Sequence, residues 1–218
     1  MCQPQASAEY HRRLIDMIQQ QQELMAVLNF LTISAPFAYL AAGVLRNSVW
    51  AILHAQPYPL AGTEVDVIFY DAEDVQDQTA KQLKAVLTQQ FPHIEWDVTN
   101  QARVHEWYRL ENGKTIAAFS SIEEALLGWP ETATAIALRL SAQNKIEYIA
   151  PFGLEDLFEL KLRWNANLVS YQTFAQRLQN KQWLQRWPRL EVLSKRNKKA
   201  FYRRRLFYVL LKFYKVVS

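Results

Sequence analysis

One run of this chain limits its fold more than any other: T-E-V-D-V-I-F-Y-D, Thr63 to Asp71. It is β-prone, and side chains alternate across a strand. Glu64–Tyr70 therefore reads as a strand with Glu64 and Asp66 on one face, about 7 Å apart. Asp71 points to the other face and reads as structural. Two carboxylates that close repel each other when ionised unless a proton or a cation sits between them. Mg2+ would relieve the repulsion and could also hold phosphate oxygens. Upstream, A-A-G-V-L-R-N (Ala41 to Asn47) joins an apolar run to a helix-like run. Gly43 would end a strand there and let backbone approach a phosphate, with the next helix aiming its N-terminal N–H groups at the anion. Arg46, one turn in, could add a charge-assisted contact, and Asn47 a neutral one.

The flanking segments supply the frame. Helical periodicity runs from about Ala8 to Leu31, with Ser7 as a candidate cap. After Pro36, F-A-Y-L-A-A-G reads as a short buried strand ended by Gly43. Val44–Ala55 reads as a helix, and Gln76–Phe91 as an amphipathic helix stopped by Pro92. Ile94–Asn100 is a third strand, with Glu95, Asp97 and Thr99 on one face and Trp96 and Val98 on the other. Laid alongside Glu64–Tyr70, it would bring in Asp97 as a third carboxylate. Gln101–Leu110 turns helical. Ser120 and Ser121, followed by Glu123 and Glu124, carry overlapping capping-box signatures. Thr132–Leu140 and Ile146–Ile149 form a candidate hairpin turning at Asn144, and Tyr171–Trp187 is a last helix stopped by Pro188. The order is that of an α/β (α+β) fold: a small mixed β-sheet flanked by helices, with a C-terminal β-hairpin and a helical extension.

Charge is unevenly spread. The net charge is +4, yet Lys195–Ser218 holds nine Lys/Arg and no acid. Taking those nine from the 25 basic residues leaves 16 against 21 acids, so residues 1–194 carry a net of −5. Residues 1–194 read as one domain, with a core at about 8–110 and an extension at about 111–194; residues 195–218 read as a basic aromatic tail. Cys2 is the only cysteine. No intramolecular disulfide or cysteine-built zinc cage can form, and a cytoplasmic location is expected. The apolar stretch Leu24–Leu45 is broken by Asn29, Ser34 and Pro36. It reads as helix, loop and strand, and no transmembrane segment or secretory signal is expected.

The order strand, glycine, helix, acid-x-acid strand, helix, strand with a third acid resembles the nucleotidyltransferase superfamily of polymerase-β-like fold. A closer resemblance is to an uncharacterised bacterial nucleotidyltransferase-like family. It is carried by A-A-G-V-L-R-N-S-V-W (Ala41–Trp50), E-V-D-V-I-F-Y-D (Glu64–Asp71), W-D-V-T-N-Q-A-R-V-H (Trp96–His105), W-P-E-T-A-T-A (Trp129–Ala135) and A-P-F-G-L-E-D-L-F (Ala150–Phe158). The resemblance implies an enzyme that moves a nucleotidyl group from a nucleoside triphosphate such as ATP to an unknown hydroxyl acceptor, using Mg2+ or Mn2+. Glu64, Asp66 and Asp97 would be its metal ligands and catalytic acids. Gly43, Arg46, Asn47 and Arg103 would hold the nucleotide. Two positions depart from the superfamily pattern: Val44 follows Gly43 where Gly or Ser is usual, and Glu64 stands where Asp is commoner. The alternative is a catalytically degenerate nucleotide- or RNA-binding module of the same fold.

Other features have competing readings. In N-Q-A-R-V-H, Arg103 could hold a triphosphate or the acceptor and His105 could touch substrate; equally, Asn100 and Gln101 could only cap a helix. Glu155 and Asp156 read as first-turn acids of a helix. Trp183 and Trp187 read as packing residues. The tail, K-R-N-K-K-A-F-Y-R-R-R onward, could bind nucleic acid, dock on a membrane surface or protein partner, or pack on the acidic body.

Overall fold

Alternation in the acidic strand sets the sheet. The computed structural model describes residues 4–193, so the tail expectations for Lys195–Ser218 lie outside the described residues. The elements are α1 (Pro4–Gln19), α2 (Gln22–Ser34), β1 (Tyr39–Ala41), α3 (Gly43–Leu53), β2 (Glu64–Phe69), α4 (Gln78–Gln90), β3 (Glu95–Asn100), α5 (Val104–Trp107), α6 (Ile122–Leu127), β4 (Ala137–Leu140), β5 (Ile146–Ile149), α7 (Glu155–Phe158), β6 (Lys161–Arg163), α8 (Tyr171–Asn180), α9 (Trp183–Arg186) and β7 (Glu191–Leu193). Five strands form a mixed sheet in the order β3-β2-β1-β4-β5. β2 and β3 run parallel, as their crossover through α4 allows, and the other pairs are antiparallel. β6 and β7 make a separate parallel pair.

The register produces two unlike rows. Val98, Val67, Leu40 and Leu138 align across four strands and are buried among the flanking helices in the main core. Each such side chain stabilises the fold by about 1.5–3 kcal/mol. One residue out of phase, on the opposite face, Asp97, Asp66, Ala41 and Ala137 align instead. There only a small cluster forms, with Ile122 and Leu126 of α6 over Ala41, Ile68 and Ala137. α6 begins as its sequence predicts: Ser121 Oγ accepts from the Glu124 N–H, and Glu124 accepts from the Ser120 N–H.

Three sequence expectations change. The helix expected over Ala8–Leu31 is two helices, parted at Gln20–Gln21, and Ser7 lies inside the first. Leu14 and Ile18 make one apolar stripe and Leu24, Val27, Leu28 and Leu31 another. At 3.6 residues per turn a continuous helix would put the two about 110° apart, so the break brings both onto the core. The helix expected over Tyr171–Trp187 breaks at Gln182, φ 48°, for the same reason: Phe174 and Trp183 would otherwise face opposite ways. Gly43 does not end a strand; it opens α3, and the turn falls on Ala42, at φ 56° and ψ −123°. Among the described residues no helix is long and apolar enough to cross a membrane.

Candidate active site

Asp66 stands in the middle of β2 with Asp97 at the paired position of β3 and Ala41 at the paired position of β1. Adjacent strands lie about 4.8 Å apart, so the two carboxylates leave the sheet side by side. Glu64 lies at the exposed start of β2, opposite Glu95. The Asp66 carboxyl is pushed up to about 6: burial is the main cause, and the charges of Asp97 and Glu64 add to it. A hydrogen bond from the Gly43 backbone N–H and the charge of Arg46 oppose the rise. A Cβ on Gly43 would sit 3.9 Å from both Asp66 Oδ2 and Arg46 Nη2, so the start of α3 lies between acid and cation.

Arg46 turns inward. It is 4 % exposed, with its guanidinium 4.6 Å from the Trp183 ring centre and 5.0 Å from that of Trp50. Nη1 donates to Thr134 Oγ1 at 2.7 Å, and Nε and Nη2 donate to Asn47 Oδ1 at 3.3 and 3.2 Å. Burial pulls its pKa down to about 10 despite the nearby Glu131. Asn47 in turn donates to Tyr58 Oη at 3.3 Å. Arg103 reaches Val75 O and Glu106, not the Asp66–Asp97 pair. Asn100 is structural: its Oδ1 accepts from the Asp71 and Ala102 N–H groups and its Nδ2 donates to Asp71 O, tying the ends of β2 and β3.

Sequence reasoning missed a buried polar layer behind the acids. Glu131 is fully buried and accepts two bonds from Arg177, at 2.7 and 3.2 Å. Burial alone would lower the Arg177 pKa, but the bonds and charge of Glu131, with the charge of Asp66, raise it. Arg177 lies in the stretch read only as a helix, and Glu131 falls just before the β-prone run Thr132–Leu140. A carboxylate inside W-P-E-T-A-T-A was the available signal, because a buried acid needs a buried cation. Thr132 and Arg163 both bond Asp156, so that acid is an ion-pair member within the first turn of α7. Trp183 and Trp187 are both buried, as packing residues are.

The two carboxylates border a cavity of about 210 Å³ that runs from the sheet to Trp107, Tyr108 and Trp129. A family model described as nucleotidyltransferase matches residues 32–192. The chain belongs to the nucleotidyltransferase family. A solved structure described as revealing a CCA-adding enzyme head domain is 26 % identical, with a TM-score of 0.71 over 84 % of this chain and 96 % of that one. A Thermotoga maritima CCA-adding enzyme complexed with tRNA (12 % identity, TM-score 0.53) and a CCA-adding enzyme with CTP (14 %, 0.54) share the fold. The chain spans 43 % of each of those two proteins. No curated protein matches it significantly. Family and fold together make nucleotidyl transfer the class of reaction.

Proposed function

We propose that this nucleotidyltransferase moves a nucleotidyl group from a nucleoside triphosphate to a hydroxyl acceptor with the help of Mg2+. The pairing of Asp66 with Asp97 on parallel strands, beside the Gly43 N–H, carries the reading. The donor set suits such an ion. Among the described residues no group of three or more His, Cys, Asp or Glu forms a cage, and Mg2+ does not ask for one. It is commonly held by one or two carboxylates together with substrate phosphates. The like charges that raise Asp66 are what a bound cation would offset.

In this reading Asp66 and Asp97 hold the ion, and Glu64 adds charge from the edge of the strand. The ion supplies Lewis-acid stabilisation of the phosphates. Gly43 and the first turn of α3 face the triphosphate through backbone N–H groups. Arg177 is the better candidate for the cation on the phosphates. It is anchored by Glu131, lies near enough to Asp66 to feel its charge, and keeps a third of its side chain exposed. Arg46 instead fixes α3 against Thr134 and the two indoles. Asp97, the more exposed acid, takes the acceptor's proton.

Calorimetry with ATP, GTP, CTP and UTP, with and without Mg2+, tests the reading together with pyrophosphate release. Metal-dependent binding and turnover, both lost in Asp66→Asn, are expected. Full transfer by Asp66→Asn would refute the assignment, and metal-independent nucleotide binding without turnover would mark a non-catalytic module.

A further inference from the structure

The cavity beyond Asp66 and Asp97 limits what the acceptor can be. Its far wall is aromatic: Trp107, Tyr108, Phe119 and Trp129, with Leu168 closing one side. Among the described residues no Lys, Arg or His lines it. Of the cations near it, Arg177 is the one the proposed reaction places on the donor's phosphates, while Arg103 pairs with Glu106 and Arg109 donates to the carbonyl oxygens of Tyr108 and His105. With the ion at Asp66 and Asp97 and Arg177 taken up by the donor's triphosphate, a further phosphate on the acceptor would lose its water against a wall that has no cation among its described lining residues. An uncharged ring loses little on desolvation and gains aromatic contact.

Size and rigidity narrow the choice. The cavity, about 210 Å³, is below the roughly 300–1,000 Å³ of clefts that take drug-sized ligands, so it suits one ring system with a short arm. The wall is closely packed at Gly128: a Cβ there would lie 2.5 Å from Leu168 Cδ1, so the Leu168 side chain would have to move. Asn165 Nδ2 donates to Leu127 O at 2.8 Å and Trp129 O at 2.7 Å, which locks the two wall segments together. Trp107 lines the cavity yet is 61 % exposed, in an edge-on pair with Tyr108. Folding does not require a large indole there.

We propose that this cavity receives the acceptor, and that the acceptor is a small uncharged molecule presenting a planar ring and a hydroxyl group. The inference rests on the nucleotidyl transfer proposed above. The acceptor oxygen bonds to the α-phosphorus as the bond from that phosphorus to the bridging oxygen breaks. Pyrophosphate leaves with the electron pair, and the hydroxyl proton passes to Asp97 and then to solvent.

The test uses the full chain, with tryptophan fluorescence and calorimetry as readouts. Adenosine and benzyl alcohol serve as neutral ring probes, AMP as the charged counterpart, and a short oligoadenylate as the RNA probe. Each is titrated with and without Mg2+ and saturating α,β-methylene ATP. Neutral probes are expected to bind about tenfold tighter than AMP, to lose about tenfold in Trp107→Ala, and to stay bound beside the ATP analogue. Gly128→Ala, which drives a methyl group at Leu168, is expected to weaken them as well. Displacement of the neutral probes by the analogue would assign the cavity to the donor's base and overturn the proposal. So would absence of ring binding, or oligoadenylate binding tighter than adenosine and unchanged in Trp107→Ala. Ring binding in a protein that transfers nothing overturns the reaction and leaves the cavity's ligand class intact. Transfer indifferent to Trp107→Ala overturns the cavity assignment and leaves the reaction.

Discussion

Replacing Asp66 by Asn is expected to stabilise the metal-free protein while abolishing its chemistry. The carboxyl's pKa rises from 3.8 to about 6, because it is buried and flanked by Asp97 and Glu64. The fold therefore holds the proton more tightly than the unfolded chain does. Between pH 3.8 and 6 stability falls as pH rises, and above pH 6 the full cost is present. At about 1.36 kcal/mol for each tenfold change in proton affinity, that cost is about 3 kcal/mol. Asn removes it and keeps an oxygen for the Gly43 N–H. For a chain of this size, about 3 kcal/mol corresponds to a melting temperature about 6–12 °C higher, an upper value for a side chain with some solvent contact. The assay is thermal melting in EDTA at pH 7.5 and at pH 4, followed by Mg2+ titration. The variant should melt above wild type at pH 7.5, converge with it near pH 4, and show no Mg2+ stabilisation. A variant that melts at or below wild type at pH 7.5 in EDTA would refute the view that burial and like charge govern this site.

Three further substitutions probe the supporting structure by urea denaturation. Ala42→Gly should stabilise the protein by about 1 kcal/mol, because φ 56° with ψ −123° strains any residue with a Cβ; no gain would mean the strain is absent. Glu131→Ala should destabilise it by about 3 kcal/mol or more, since it strands Arg177 and removes the charge nearest buried Arg46; a loss under 1 kcal/mol would count against that network. Asn100→Ala should cost about 1–3 kcal/mol by leaving the Asp71 N–H and C=O unpaired between β2 and β3.

Acids and anchors differed in how legible they were. Asp66 and Asp97 could be read because alternation is local and a parallel β2–β3 pair puts equal phases side by side. The helix breaks were written in the sequence too, in the six-residue step from Ile18 to Leu24, but periodicity over a long window blurs a change of phase. The turn at Ala42 was hidden by residue identity, since glycine next door drew the positive φ to itself on paper. Arg46 could not be read at all: its direction is set by Trp183 and Thr134, far along the chain, and a local rule sees only a cation one turn into a helix. The cavity was hidden for the same reason. Its walls come from irregular segments, and Asn165 and Asn167 tie the loop of Leu168 to that of Gly128 through Leu127 O and Trp129 O. The shape of the cavity is thus decided by long-range contacts, while the positions of Asp66 and Asp97 are fixed by the two-residue repeat of a strand. If the cavity receives the acceptor as proposed, a substitution in its wall changes acceptor choice without touching Asp66 or Asp97.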